Sequence, residues 1–324
     1  MKKILSIITS CIITLIITCL FISCNKGGKT GSLTWVIKKG TLIISGQGAM
    51  PNYSETYDNG TPWSKLDIDS SINYIIIKDG ITNIGDNAFY NCRNVVSVSS
   101  PDSILNIGKN AFRNCISLNS ITIPNSVINI GESAFKYCNN LFQIELSNNI
   151  INIEKSAFED CSKLIQIDIP DSVINIGETA FKNCKGLLNV TFGENLHLIA
   201  PEAFWGCINI QTITSKNPIP PILTFYKVGT REWDKSRKDN GYLVIVFNNE
   251  IFKNSRLIVK DEYLSAYMKD TRWIYFFEDR EKIDKIRREE NPSWVEWQDN
   301  KRPGSRLSES SWSSTEDGRP SPWD

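Results

Sequence analysis

Apolar and polar residues recur along this chain with a fixed period of 23 residues. The clearest mark of the period is the segment Ala-Phe-x-x-Cys, which starts at Ala88 and recurs without insertion as far as Ala203. Its six cysteines hold one position of the repeat: Cys92, Cys115, Cys138, Cys161, Cys184 and Cys207. A constant period of about 20 to 29 residues is typical of a leucine-rich-repeat solenoid.

Apolar residues also occupy the third and sixth positions after each cysteine. The third position holds Val95, Leu118, Leu141, Leu164, Leu187 and Ile210, and the sixth holds Val98, Ile121, Ile144, Ile167, Val190 and Ile213. Their alternation with polar residues predicts a short strand with one buried face. Pro101, Pro124 and Pro170 end this strand, because proline has no N–H to donate to a sheet.

The remainder of each unit adds a second apolar pair, such as Val127 and Ile130, and then Ala-Phe-x-x-Cys. We expect that segment to form one helical or 3-10 turn whose phenylalanine fills the core. One unit cannot bury its apolar residues alone, so the units must stack. The predicted fold is therefore a β-rich leucine-rich-repeat solenoid of stacked short strands with short helical or 3-10 turns and a capping segment at each end.

The first residues predict a targeting segment. Lys2 and Lys3 precede an uncharged apolar run over residues 4–22, and the chain becomes polar after Cys24. This pattern resembles a bacterial lipoprotein signal, which implies removal of residues 1–23 and acylation of Cys24 as the lipid anchor. An uncleaved signal anchor is the alternative, because 19 apolar residues are just enough to cross a bilayer.

Charge and histidine content exclude several classes of function. The chain has 36 basic and 36 acidic residues, and without residues 1–23 it has 34 and 36, a net charge of −2. The repeats over 69–214 have nine basic and fourteen acidic residues, a net charge of −5. A nucleic-acid partner would need a basic face. His197 is the single histidine, which excludes a site with two histidine ligands, and at its repeat position it is predicted to be a surface substitution.

The repeats resemble the BspA-like leucine-rich-repeat family of bacterial surface proteins. The likeness rests on the Ala-Phe-x-x-Cys units, on residues 33–51 and 61–63, and on residues 217–221, 257–259 and 273–277. It implies a cell-surface adhesion or protein-binding role, with no catalytic residues to transfer. It also implies an outer-membrane or cell-surface location in a Gram-negative-type bacterium.

The predicted organisation has six segments. They are a signal peptide (1–23), a linker (24–32), an N-terminal capping module (33–68), the repeats (69–214), a C-terminal closing segment (215–279) and a charged tail (280–324). The tail composition predicts disorder. Its four tryptophans, Trp294, Trp297, Trp312 and Trp323, fit either a partner-binding motif or an unconstrained end.

The fifth and seventh positions after each cysteine should point away from the core and form a polar strip with an acidic centre. The predicted ligand contacts are Ser120, Thr122, Gln143, Glu145, Gln166, Asp168, Asn189 and Thr191. Such a strip suits an extracellular protein or a glycan and does not suit DNA or anionic lipid. A merely solvated sheet face is the alternative.

No catalytic, metal or cofactor site is predicted. Stacked cysteines lie in a row and do not converge on one point as zinc requires, and their Cβ spacing is longer than a disulfide needs. They are expected to be free, buried core residues. Glu145 and Asp168 would lie about 5 Å apart, near the spacing of a retaining glycosidase, but they point the same way. A passive envelope spacer and, more remotely, a carboxylate-based hydrolase remain the alternatives to a lipid-anchored binding protein.

Overall fold

The structure is a computed structural model that describes residues 26–55, 60–63, 72–224, 246–247, 255–270 and 273. In these residues it has strands β1 (Lys26–Thr30), β2 (Leu33–Lys38), β3 (Thr41–Ser45), β4 (Gly48–Ala49), β5 (Tyr74–Ile77), β6 (Ile81–Ile84), β7 (Ser97–Ser99), β8 (Asn106–Ile107), β9 (Ser120–Thr122), β10 (Asn129–Ile130), β11 (Gln143–Glu145), β12 (Asn152–Ile153), β13 (Gln166–Asp168), β14 (Asn175–Ile176), β15 (Asn189–Phe192), β16 (Leu198–Ile199), β17 (Thr212–Ser215), β18 (Ile222–Leu223) and β19 (Arg256–Val259). A 3-10 turn at Asp261–Tyr263 leads into helix α1 (Leu264–Lys269).

Each 23-residue unit forms one coil of a solenoid and gives one strand to each of two parallel faces. The odd-numbered strands from β3 to β19 form the front face, and the even-numbered strands β4 to β18 form a continuous back face. Equivalent residues of neighbouring coils are paired, as in Gln143 with Ser120 on the front and Ile153 with Ile176 on the back. The predicted solenoid of stacked short strands is confirmed.

The Ala-Phe-x-x-Cys segment forms the third side of each coil, and it is a series of tight turns. The residues just before the alanine and just before the cysteine have positive φ, as at Asn110 (53°) and Asn114 (65°). Alternate amides bond within the turn or to the next coil: Cys115 N–H donates to Phe112 O (3.2 Å), and Phe112 N–H donates to Ala134 O (2.8 Å). This differs from the expected helical or 3-10 turn, because a helix would keep all of these donors within its own coil.

The phenylalanines of this segment stack through the centre of the solenoid. The stack consists of Trp63, Phe89, Phe112, Phe135, Phe158, Phe181, Phe204 and Phe247. In its middle the ring centroids of Phe135 and Phe158 lie 5.4 Å apart with an interplanar angle of 4°. All six repeat phenylalanines are fully buried, as predicted for residues that fill the core.

An antiparallel unit covers the N-terminal end of the solenoid. Strands β1, β2 and β3 pair in antiparallel order, and β3 then pairs parallel with β5. Residues 26–30 therefore form a strand where the sequence predicts a linker, and the reason is close packing. A Cβ on Gly28 would lie 3.2 Å from the ring of Trp35, so glycine allows the polar strand to lie directly against this buried ring.

Buried aromatic residues cover the C-terminal end. Strand β19 pairs with β17, and the hydroxyls of Tyr267 and Ser215 are hydrogen bonded at 2.7 Å. Trp273 Nε1 donates to Pro221 O (2.8 Å), and both Tyr267 and Trp273 are fully buried. Residues of the predicted closing segment thus seal the last coil, while the segment boundaries given above stay predictions.

The ring stack yields a stability prediction. Phe158→Ala removes a fully buried ring between two others, so it should lower the free energy of unfolding by about 3–5 kcal/mol. Phe142→Ala is the matched control, because Phe142 is exposed, and it should cost less than about 1 kcal/mol. Urea unfolding followed by circular dichroism measures both. Equal losses in the two variants would contradict the central role of the stack.

Candidate functional site

The eight predicted contact residues lie on one surface of the front face. They occupy the first and third positions of the three-residue strands β9, β11 and β13 and the equivalent positions of β15. Seven of them are exposed, and Thr191 is half-buried. The residue between each pair, such as Ile144 or Ile167, is buried, so alternation along the strand directs the polar side chains outward.

The strip is held in register by the backbone pairing below it. Ser120 and Thr122 pair with Gln143 and Glu145. Gln166 and Asp168 pair in the same way with Asn189 and Thr191. Between β11 and β13 the coils are joined by Ile165 N–H, which donates to Phe142 O at 3.3 Å.

Glu145 and Asp168 form the acidic centre of the strip. Thr122 Oγ1 donates to Glu145 Oε2 at 3.5 Å, and Gln166 Nε2 donates to Asp168 Oδ2 at 3.4 Å. In the part of the chain that the structure describes, neither carboxylate has an ion-pair partner. Both therefore present free oxygen acceptors to a ligand.

Two apolar side chains beside this centre were missed by the sequence reasoning. Phe142 and Ile165 directly precede β11 and β13, and 44% and 46% of their surfaces are exposed. Both occupy the fourth position after the repeat cysteine, which carries Asn119 and Gln211 in other coils. That variation was the available signal, because a core position would be apolar in every coil.

The back face has a different chemistry. Leu105, Ile128, Ile151 and Ile174 stand at one repeat position in four successive coils, and each is 41–45% exposed. Asparagines follow them in the sequence, and Asn129 Nδ2 donates to Asn106 Oδ1 at 2.8 Å. His197 continues this row and is exposed, in agreement with its interpretation as a surface substitution.

Each repeat cysteine is a buried thiol outside any disulfide, as predicted. Each sulfur from Cys115 onward donates to a phenylalanine carbonyl in the preceding coil, for example Cys138 Sγ to Phe112 O at 3.2 Å. Burial raises the pKa of Cys138 to about 12 and also raises the pKa values of Cys161 and Cys184. Among the described residues, no group of three or more His, Cys, Asp or Glu side chains could hold a metal ion.

Cys24, residues 1–23 and the tail over 280–324 lie outside the described residues, so their predicted roles stay predictions. Within residues 26–55, 60–63, 72–224, 246–247, 255–270 and 273, no helix is long and apolar enough to cross a membrane.

The stacked coils, two parallel faces and regular repeat define a leucine-rich-repeat solenoid. The model of the BspA type leucine rich repeat region matches the chain in six copies, over residues 68–173 and 152–226. Residues 68–226 are therefore a BspA-type leucine-rich-repeat region. No match was found among curated proteins.

Several solved structures are similar to the chain. A leucine rich repeat protein of T. pallidum is 25% identical, with 58% of this chain and 81% of that chain covered and a TM-score of 0.44. A leucine rich cell surface protein from Faecalibacterium prausnitzii is 15% identical, with 59% and 94% covered and a TM-score of 0.30. The pneumococcal vaccine antigen PcpA is 12% identical, with 75% and 96% covered and a TM-score of 0.27.

The buried thiols yield a second prediction. Alkylation in denaturant without reductant, followed by peptide mass spectrometry, should find all six repeat cysteines free, while the folded protein should resist alkylation at pH about 8. The pKa of Cys138 is raised from 9.0 to about 12 on folding, so its contribution to stability is complete below pH about 9 and is lost as the pH rises towards about 12. Detection of disulfide-linked repeat peptides would contradict the packing described here.

Proposed function

We propose that the protein is an extracytoplasmic, membrane-attached repeat protein whose front face binds a protein or glycan ligand. One observation carries the proposal: the polar strip and two exposed apolar side chains come together on one regular surface. The BspA-type leucine-rich-repeat region supports a protein-binding or adhesion-type role.

The size of the strip fits a macromolecular ligand. Six coils carry polar residues at the outward positions from β7 to β17, and stacking at about 4.8 Å gives a strip on the order of 25 Å long. With the neighbouring turns, this approaches the ~800 Å² that each partner buries in a standard interface.

The chemistry of the strip suits hydrogen bonding around a small apolar centre. Serine, threonine, asparagine and glutamine lose little conformational entropy on binding, and each donates or accepts one or two hydrogen bonds. Phe142 and Ile165 provide apolar area beside Glu145 and Asp168, where central residues contribute most of the affinity. An aromatic ring next to carboxylates fits either a basic peptide surface or the apolar face of a sugar.

Two other functions remain as alternatives to be tested. A passive spacer of the cell envelope would need no specific ligand, and failure of the protein to bind any member of the ligand panel below would favour it. A carboxylate-based hydrolase would need Glu145 and Asp168 to approach a substrate from two sides. They extend from the same face of adjacent coils, which favours binding over catalysis.

Substitution of the acidic centre tests the binding face. Gln143, Glu145, Gln166 and Asp168 changed together to alanine should reduce binding to the best ligand from a panel of extracellular-matrix proteins and glycans by at least about tenfold. Folding should survive, because all four side chains are exposed. Titration on immobilised ligand measures the change.

The matched control replaces four charged residues by alanine at the places where the back-face strands lead into the third side of the coils: Lys109, Glu132, Lys155 and Glu178. Their salt bridges, of 3.0 and 2.9 Å, lie away from the front face, so binding should stay within about twofold. The site would lie outside the sheet if the front-face variant bound the ligand normally and deletion of the tail after Asp279 abolished binding.

Attachment to the membrane is proposed to occur through acylation of Cys24. Radiolabelled palmitate should enter the protein in bacterial cells and be absent from the Cys24→Ala variant, because transfer of the lipid requires this thiol. Equal labelling of both proteins would exclude Cys24 as the anchor. Membrane association without any labelling would favour the uncleaved signal anchor.

A further inference from the structure

The N-terminal end of the solenoid carries four exposed lysines close to the point where the chain leaves the predicted membrane segment. We call this group the basic end, and it comprises Lys26, Lys29, Lys38 and Lys39. Strands β1 and β2 are antiparallel, and Lys26 pairs with Ile37. Lys26 therefore points to the same face of the sheet as Ile37, while Lys29 and Lys38 point to the other face, so lysines flank the outer edge of this end from both faces.

The charge of this end contrasts with the charge of the repeats. Residues 26–55 contain these four lysines and a single acidic residue, Glu55. Glu55 is already engaged on the third side of the solenoid, where Asn110 Nδ2 donates to its Oε1 at 2.8 Å and Arg113 lies 3.9 Å away. The repeats over 69–214 have a net charge of −5. The described part of the N-terminal unit is thus basic and the body behind it acidic.

The chain leaves almost no slack between the membrane segment and this end. Cys24 precedes Lys26 by two residues, which span at most about 7 Å. Strand β1 itself is fixed, since all five of its residues pair with β2 and the hydroxyl of Thr30 is hydrogen bonded to that of Tyr53 at 2.7 Å. The same short tether applies to an acylated Cys24 and to an uncleaved signal anchor.

We propose that the basic end lies against anionic phospholipid headgroups, so that the solenoid projects from the membrane with its front face to the side. The proposal rests on the membrane attachment proposed above and is independent of the ligand-binding strip. The lysines attract headgroup phosphates, and the acidic repeats are repelled from the same surface. This contact also covers the outer edge of β1, which pairs only with β2 among the described strands.

Lysine footprinting tests this orientation on the full chain purified from membranes. The protein is placed either in detergent or in vesicles of phosphatidylglycerol and phosphatidylcholine, and acetylation of each lysine is followed by mass spectrometry. Lys26, Lys29, Lys38 and Lys39 should react at least about fivefold more slowly in the vesicles. Lys163, Lys185 and Lys216, in later coils, should react equally in both. If the protein floats with the vesicles but the four lysines of the basic end are acetylated at the same rate in vesicles and in detergent, the proposed orientation is wrong and the attachment stands. If the protein does not float with the vesicles, the proposed attachment is wrong as well.

A linker variant separates headgroup contact from the short tether. A Gly/Ser linker of about 20 residues between Asn25 and Lys26 lets the solenoid move away from the bilayer. In the linker variant, Lys29 should still be acetylated more slowly in vesicles than in detergent, and we call this difference protection. The protection should disappear when Lys26→Gln, Lys38→Gln and Lys39→Gln are added. The triple variant Lys163→Gln, Lys185→Gln and Lys216→Gln in the same linker protein should keep Lys29 protected. Loss of protection on adding the linker alone would show that the tether, and not the headgroups, holds this end.

Discussion

The structure depends on contact between equivalent positions of successive coils. Phenylalanine rings stack at centroid distances of 5.1 to 5.4 Å from Phe89 to Phe204, and backbone amides on all three sides donate to the neighbouring coil. A constant coil length keeps all of these contacts in register from Phe89 to Phe204, which explains the constant 23-residue period there. Trp63 and Phe247 extend the stack at spacings of 26 and 43 residues, so the end units keep the ring contact without keeping the coil length.

The sequence predicts the fold well where burial repeats with the period. Apolar residues that return in every unit, such as Ile144 and Ile167, identify the strands and their inward side, and the outward positions follow from alternation. The third side was harder to predict because positive φ leaves a weak trace. Asparagine holds those positions in some coils, but Tyr137 and Glu202 hold them in others.

Two features were misjudged for the same reason, because the composition of a segment does not show which strand or side chain packs beside it. Strand β1 reads Lys-Gly-Gly-Lys-Thr, which is typical of a linker, and its glycines suit a strand only because Trp35 lies so close, with its ring at Gly28 and its backbone oxygen at Gly27. Phe142 and Ile165 each follow a buried leucine directly, and the only sign in the sequence that they face solvent is the polar residue at this position in other coils, such as Asn119 and Gln211. The predicted polar strip was correctly located on the front face, but its apolar centre required the structure.

Identical coil length also determines how this protein can change in evolution. A duplication of 23 residues, started anywhere within the repeats, inserts one complete coil and leaves both terminal caps unchanged. Each such event lengthens the binding face by about 4.8 Å without designing a new surface. Other spacings occur at the ends of the stack, where Phe204 and Phe247 are stacked although 43 residues separate them. Copy number is therefore the parameter through which descendants of this gene can match longer or shorter ligands.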